Sequence, residues 1–364
     1  MLGLIALIAA QGATAAPMGW SGGPVPVAQR SWPTREQDVV LRNFRFHDGE
    51  MLPTLKMHVT MLGQPHRNAA GQIDNAVMVL HGTGGTGKQF LAPQFADELY
   101  GPGQPLDIRR YWIILPDNIG HGGSSKPSEG MRMNFPHYGY MDMIGAQKRM
   151  LEEGLGIHRL QLILGTSMGA MHAFMWGTTY PGFAKRLAPF ACNTIELAGR
   201  NRIWRRMAID AIERDPAWNG GNYTNEPTLG LQGARDILLL AGSSALAWQS
   251  EYPTRESADA FLAGQRAEQA TSGGDANDMI YQLDASRDYN PAPVLARITV
   301  PVLWVNSADD FINPPELGLA QQQVRQMPRA RFVLIPASPD TKGHGTHTWA
   351  RFWKGDLAKL LAEP

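Results

Sequence analysis

The sequence predicts an α/β fold: a mostly parallel sheet flanked by helices, with a helical lid inserted late in the chain. Three observations predict it. Short apolar and β-branched runs recur and alternate with helical patterns, as in a parallel sheet covered on both faces. Each run ends in a turn or loop rich in Gly, Pro, Asn, Asp or Ser. Strand-like runs then vanish between 195 and 298, where Ala-, Gly- and Arg-rich helical segments take over, broken at Gly220-Gly221 and Gly273-Gly274.

Taken in order, 76–80 (AVMVL) is the first clear buried strand, and 111–115 (YWIIL) and 160–164 (LQLIL) follow. The series continues with 187–191, 300–306 and 331–335. Residues 43–194 and 299–364 therefore read as the core and 195–298 as the lid. Ahead of them, 17–42 reads as a Pro- and Gly-rich linker. Residues 1–16 read as a signal peptide: an apolar run too short to span a bilayer, then Ala13-Thr14-Ala15 as a small-residue cleavage pattern. The usual basic n-region is missing. The expectation is a periplasmic or secreted protein without a transmembrane anchor, cytoplasmic if the N-terminus has been misread.

The chain has 364 residues, enough for one large α/β domain with an insertion. Lys+Arg and Asp+Glu balance at 33 each, so net charge supplies no pull toward nucleic acid or an anionic membrane. The single cysteine, Cys192, excludes an intramolecular disulfide and a cysteine metal cluster. No cofactor, metal or nucleic-acid partner is expected. A small acyl substrate is, and a homodimer is compatible with a sequence that fixes no oligomeric state.

The chemistry gathers where functional groups collect in open α/β sheets, at the carboxyl ends of strands. Strand 160–164 runs into Gly165-Thr166-Ser167-Met168-Gly169 and then a helical pattern. This G-x-S-x-G setting resembles the nucleophile elbow of the α/β-hydrolase fold. There, glycines two before and two after the serine let the neighbouring backbone pass, and the serine stands at the sheet's end. Ser167 is then the nucleophile, and the backbone N–H of Met168 can hold a developing oxyanion. A helix N-cap is the plainer use of such a serine. After strand 76–80 comes His81-Gly82-Thr83-Gly84-Gly85, an HG-led loop whose Thr83 N–H would be the second oxyanion donor. Gly82 to Lys88 also spells a phosphate loop up to its lysine, but Gln89 stands where that motif needs Ser or Thr for magnesium.

The acid should follow a later strand and the base should come last. Asp309 and Asp310 follow strand 300–306; Asp310, four residues before Pro314, is preferred, with Asp309 open as the alternative. Gly343-His344-Gly345-Thr346-His347 offers two bases: His344, directly after a glycine, is preferred, and His347 stays open. Imidazole near neutral pKa takes the serine proton and returns it to the leaving group, while the carboxylate fixes its tautomer. His121, in Gly120-His121-Gly122-Gly123-Ser124, reads as structural. His137 and His172 read as pocket lining or core.

Beyond the general fold, the chain resembles the homoserine O-acetyltransferase-like branch of this superfamily from about Asn43 onward. The resemblance is carried by Leu52-Pro53-Thr54-Leu55-Lys56, Asp74-Asn75 with 76–81, Gly101-Pro102-Gly103 with Leu106-Asp107, Gly165 to Met171, and Asp310 with Pro314-Pro315. It implies an α/β-hydrolase core, a helical lid, and Ser167, Asp310 and His344 as the triad. The chain departs from the transferases in the lid, where 251–266 lacks their arginine-bearing Phe-Gly-Arg signature, and at 120–124, which looks like general hydrolases. These departures favour a serine hydrolase acting on an ester, lactone or similar bond. An acyl-CoA-dependent O-acyltransferase is the alternative, and a non-enzymatic binding module a more distant third. Lid residues Trp204, Trp218 and Trp248 serve as packing or as the wall of an apolar pocket.

Overall fold

Each of the six apolar runs forms a strand in the computed structural model, which describes residues 31–363. An N-terminal hairpin, β1 (Thr34–Arg45) and β2 (Met51–Leu62), precedes them. The six are β3 (Ala76–Leu80), β4 (Trp112–Pro116), β5 (Leu162–Thr166), β6 (Leu187–Phe190), β7 (Val302–Ser307) and β8 (Ala330–Ile335). They make one eight-stranded sheet in the order β1-β2-β4-β3-β5-β6-β7-β8. The hairpin is antiparallel, β2 pairs antiparallel with β4, and every other pairing is parallel.

The hairpin corrects the expected linker, since the chain is strand from Thr34 rather than irregular to 42. Its physical reason is position. β1 sits at the sheet edge and buries only Val39, Leu41 and Phe44, so its apolar residues are scattered among exposed polar ones instead of forming a run. The expected signal peptide lies outside the described residues.

Strands β3 to β7 are buried on both faces, successive side chains pointing to opposite sides, while β8 at the far edge is half-buried. Met78 and Leu80 of β3, Ile114 of β4, Ile163 of β5 and Trp304 of β7 share one apolar cluster. Helices α2 (Tyr140–Arg149) and α3 (Met168–Thr179) complete it with Met143, Ile144, Phe174 and Trp176. Val77, Val79, Leu115, Leu162, Leu164 and Val305 face the other way. There they meet Phe95 and Leu99 of α1 (Pro93–Leu99) and Trp353 and Leu357 around the C-terminal helix.

Between β6 and β7 the chain builds the lid from α4 (Gly199–Glu213), α5 (Thr228–Gly242), α6 (Ala245–Glu251), α7 (Arg255–Thr271) and α8 (Ala276–Asp284). The lid has an apolar cluster of its own, including Trp204, Ile209, Ile212, Leu231, Ile280 and Leu283, and Ile312 reaches into it from the loop after β7. A short α9 (Leu319–Gln323) and the C-terminal α10 (Lys354–Ala362) close the core. Among the described residues no helix is long and apolar enough to cross a membrane.

Leu164, at the centre of β5, is fully buried. Leu164→Ala is expected to cost about 2–5 kcal/mol in urea unfolding. A loss below about 1 kcal/mol would contradict the packing described.

Candidate active site

The turn between β5 and α3 forces Ser167 into a left-handed conformation, φ 54° and ψ −113°, which a non-glycine residue seldom adopts. The two glycines make it possible. A Cβ on Gly165 would stand 2.0 Å from the carbonyl oxygen of Gly169, and one on Gly169 would stand 2.1 Å from that of Leu80. Bare backbone is all that fits at either place. Parallel pairing sets Leu80 against Gly165, so the end of β3 and the turn after β5 arrive side by side.

The last loop of the fold brings His344 to Ser167. His344 Nε2 lies 2.8 Å from Ser167 Oγ and its Nδ1 lies 2.9 Å from Asp310 Oδ2. Asp310 is buried; burial alone would raise its carboxyl. The His344 charge and hydrogen bond, with two more from Asn313, outweigh that and hold it below the usual range. An ionised Asp310 requires the proton on Nδ1, which leaves Nε2 to accept from the serine hydroxyl.

The other two candidates stand aside from this line. Asp309 accepts from the Ser307 hydroxyl, from Thr341 Oγ1 at 2.8 Å and from the Gly343 N–H at 3.0 Å, so it anchors the loop that carries His344. His347 is buried and its Nδ1 bonds the carbonyl oxygen of His344. Its ring packs edge-on against that of His344, with centroids 5.0 Å apart.

The HG-led loop lies against the serine: a Cβ on Gly82 would be 3.3 Å from Ser167 Cβ. His81 Nε2 accepts the Asn118 N–H at 3.0 Å, so His81 carries its proton on Nδ1 and donates to the Gly82 carbonyl at 2.8 Å. Gly85 N–H donates to the same oxygen at 3.0 Å. In a trans peptide the carbonyl and the next N–H point opposite ways, so pinning Gly82 O turns the Thr83 N–H to the other side. Neither Thr83 N–H nor Met168 N–H, at the first position of α3, donates to another described residue.

Residues without a motif of their own complete the site. Asp117, directly after β4, accepts from Gly87 N–H at 2.7 Å and from Gly123 N–H at 2.8 Å, and so ties the two glycine loops together. Its place at a strand's carboxyl end was the available signal. In this setting the phosphate-loop pattern is filled by protein. A carboxylate occupies Gly87 N–H, and Lys88 turns outward to Glu36 at 2.7 Å. His121 donates within its own loop to Ile119 O, as a structural residue does. His172 is buried beside Gln147 and Tyr140, and His137 stacks on Tyr281.

A cavity of about 380 Å³ lies between lid and core. Gly84, Gly120, Gly122 and Lys342 form its core side, and Leu238, Leu239, Trp248, Phe261 and Met279 are apolar residues on its lid side. Trp248 is thus a wall residue, whereas Trp204 and Trp218 pack in the lid's own apolar cluster. Lys342 pairs with Glu251 of α6, and Asp278 of α8 accepts from the N–H and hydroxyl of Ser128, so the lid is tied to the core on two sides.

Burial holds the imidazoles of His172 and His347 down at about 3 each, with His81 and His344 respectively adding repulsion. Because the folded values are depressed, stability from these groups is complete above about pH 6.5 and is lost as pH falls toward 3. Each contributes a slope of about 1.4 kcal/mol per pH unit in that window. Urea unfolding at successive pH values between 7 and about 4 measures it. His172→Gln should flatten the slope by about one proton; an unchanged slope would contradict the buried neutral state.

Residues 75–340 match the family model for the alpha/beta hydrolase fold. A probable acyltransferase of Methanothermobacter thermautotrophicus is 27% identical over 81% of this chain and 88% of its own length. The homoserine O-acetyltransferase of Moorella thermoacetica is 35% identical over 51% of this chain, which spans only 53% of that relative. Among solved structures, an acetylester hydrolase from Corynebacterium glutamicum superimposes with a TM-score of 0.79 at 20% identity, over 90% of this chain and 96% of the other. The chain belongs to the α/β-hydrolase family, and the sequence relatives it matches are named as acyltransferases.

Proposed function

We propose that the protein is a serine hydrolase that cleaves an ester or similar acyl bond through an acyl-enzyme on Ser167. The observation that carries this reading is the unbroken hydrogen-bonded line from Ser167 Oγ through His344 to Asp310. Ser167 Oγ attacks the acyl carbon while His344 Nε2 takes its proton. The carbonyl oxygen becomes an oxyanion held by the N–H groups of Thr83 and Met168. Collapse expels the alcohol, which receives the proton from His344. Water then enters by the reverse sequence, His344 taking its proton, and the acid leaves with Ser167 restored.

Transfer to an alcohol acceptor shares every step up to the acyl-enzyme, and the names of the sequence relatives favour it. Water is preferred as acceptor because the lid stretch 251–266 lacks the transferases' arginine-bearing signature. Export, the expectation from residues 1–16, would also leave acetyl-CoA out of reach. The substrate is a small molecule.

A fluorophosphonate probe should label Ser167, and Ser167→Ala should lower kcat/KM on p-nitrophenyl acetate at least about a thousandfold. Absence of label on Ser167 in folded protein would overturn the nucleophile. Incubation with acetyl-CoA and a panel of alcohols should give no acceptor-dependent release of CoA. Release that requires the alcohol would make the enzyme a transferase.

A further inference from the structure

The turn after β7 makes Asp310 more than half of an ion pair with His344. Its Oδ1 accepts the N–H of Ile312 at 2.8 Å and that of Asn313 at 3.1 Å. Its Oδ2, the oxygen that faces His344, also accepts the side-chain amide of Asn313 at 3.1 Å. The same amide nitrogen donates to the Ala191 carbonyl at 3.0 Å, and Asn313 Oδ1 accepts from Asn193 at 3.3 Å. Two acceptors against the nitrogen and a donor against the oxygen fix which way the amide lies. Asn313 is buried, so these bonds are made in a water-poor setting where each weighs heavily. Ala191 itself has φ 60° and directly follows β6, so the amide bridges two adjacent strand ends.

We infer that Asn313 is a positioning residue that shares the Asp310 oxygen facing His344 and thereby limits how readily His344 takes up a proton; this rests on the triad reading above. A carboxylate oxygen that already accepts a strong hydrogen bond attracts an imidazolium less. Asn313 keeps Asp310 charged and oriented, and at the same time keeps His344 neutral, and so able to act as a base, down to a lower pH. Removing the amide leaves His344 as the partner of Oδ2 among the described residues; His347, the titratable ring packed on His344, stays neutral and unchanged, so the imidazolium becomes easier to form.

The test uses the full chain and the rate of fluorophosphonate labelling of Ser167, which needs no knowledge of the substrate. In the wild type this rate falls on the acid side as His344 is protonated. In Asn313→Ala the acid limb should move up by about 0.5–1 pH unit. A role confined to holding the fold would lower the amount of active protein and leave the limb in place. An acid limb that is unmoved, or moved down, in folded Asn313→Ala overturns the inference. Should that variant fail to fold, Asn193→Ala, which frees the amide's oxygen, should move the limb in the same direction by less, and an unmoved limb there overturns it equally. Asp310→Asn separates the two readings. If it labels as fast as wild type, the triad assignment itself fails; if it is silent while Asn313→Ala keeps the wild-type limb, only the role of Asn313 fails.

Discussion

The left-handed backbone of Ser167 depends on a contact of bare backbone with bare backbone, where the turn after β5 crosses the end of β3. The strain at the serine is tolerable only because the surrounding sheet over-determines it. β5 is buried between β3 and β6, and α3 begins at the next residue, so the serine has no room to relax. The same crossing sets Gly82 against Ser167, and the N–H groups of the next loop residue, Thr83, and of Met168 donate to no other described residue. The proposed nucleophile and oxyanion donors are therefore placed by one packing event.

Around that crossing the polar groups are spent on holding one another. Asp117 fixes two loops, Asp309 fixes the loop that carries His344, and Asn118 fixes the tautomer of His81. Buried carboxylates and imidazoles are stable only when so engaged. The consequence is electrostatic as well as mechanical. Burial keeps His172 and His347 neutral, so in the proposed mechanism a positive charge on His344 would meet Asp310 without competition from either of these imidazoles.

Much of this was legible in the sequence, for a specific reason. Strands buried on both faces write themselves as continuous apolar runs, and functional groups gather in the loops that follow them, so β3 to β7 and the serine turn could be read directly; the half-buried edge strand β8 keeps an apolar run at 332–335 as well. β1 and β2 could not, because along β1 and the first half of β2 buried apolar residues are interrupted by exposed polar ones. Spacing preferred Asp310 over Asp309 and His344 over His347, the two that stand in line with Ser167, but it could not exclude the alternatives. Each member of a pair sits in the same loop, and only the direction of its side chain assigns one to Ser167 and the other to the scaffold. Asn313 went unread because a single amide has no pattern.

The seam between lid and core also constrains how the family could diversify. A Cβ on Gly343 would stand 2.2 Å from the carbonyl oxygen of Ser243, so the residue before His344 lies directly against the junction of α5 and α6. An insertion or a bulkier residue at that junction would displace the histidine along with the lid. The exposed length of α7 touches no such part. Substitutions on the exposed face of α7 leave the histidine loop untouched, whereas any change at the α5–α6 junction reaches the loop that carries His344.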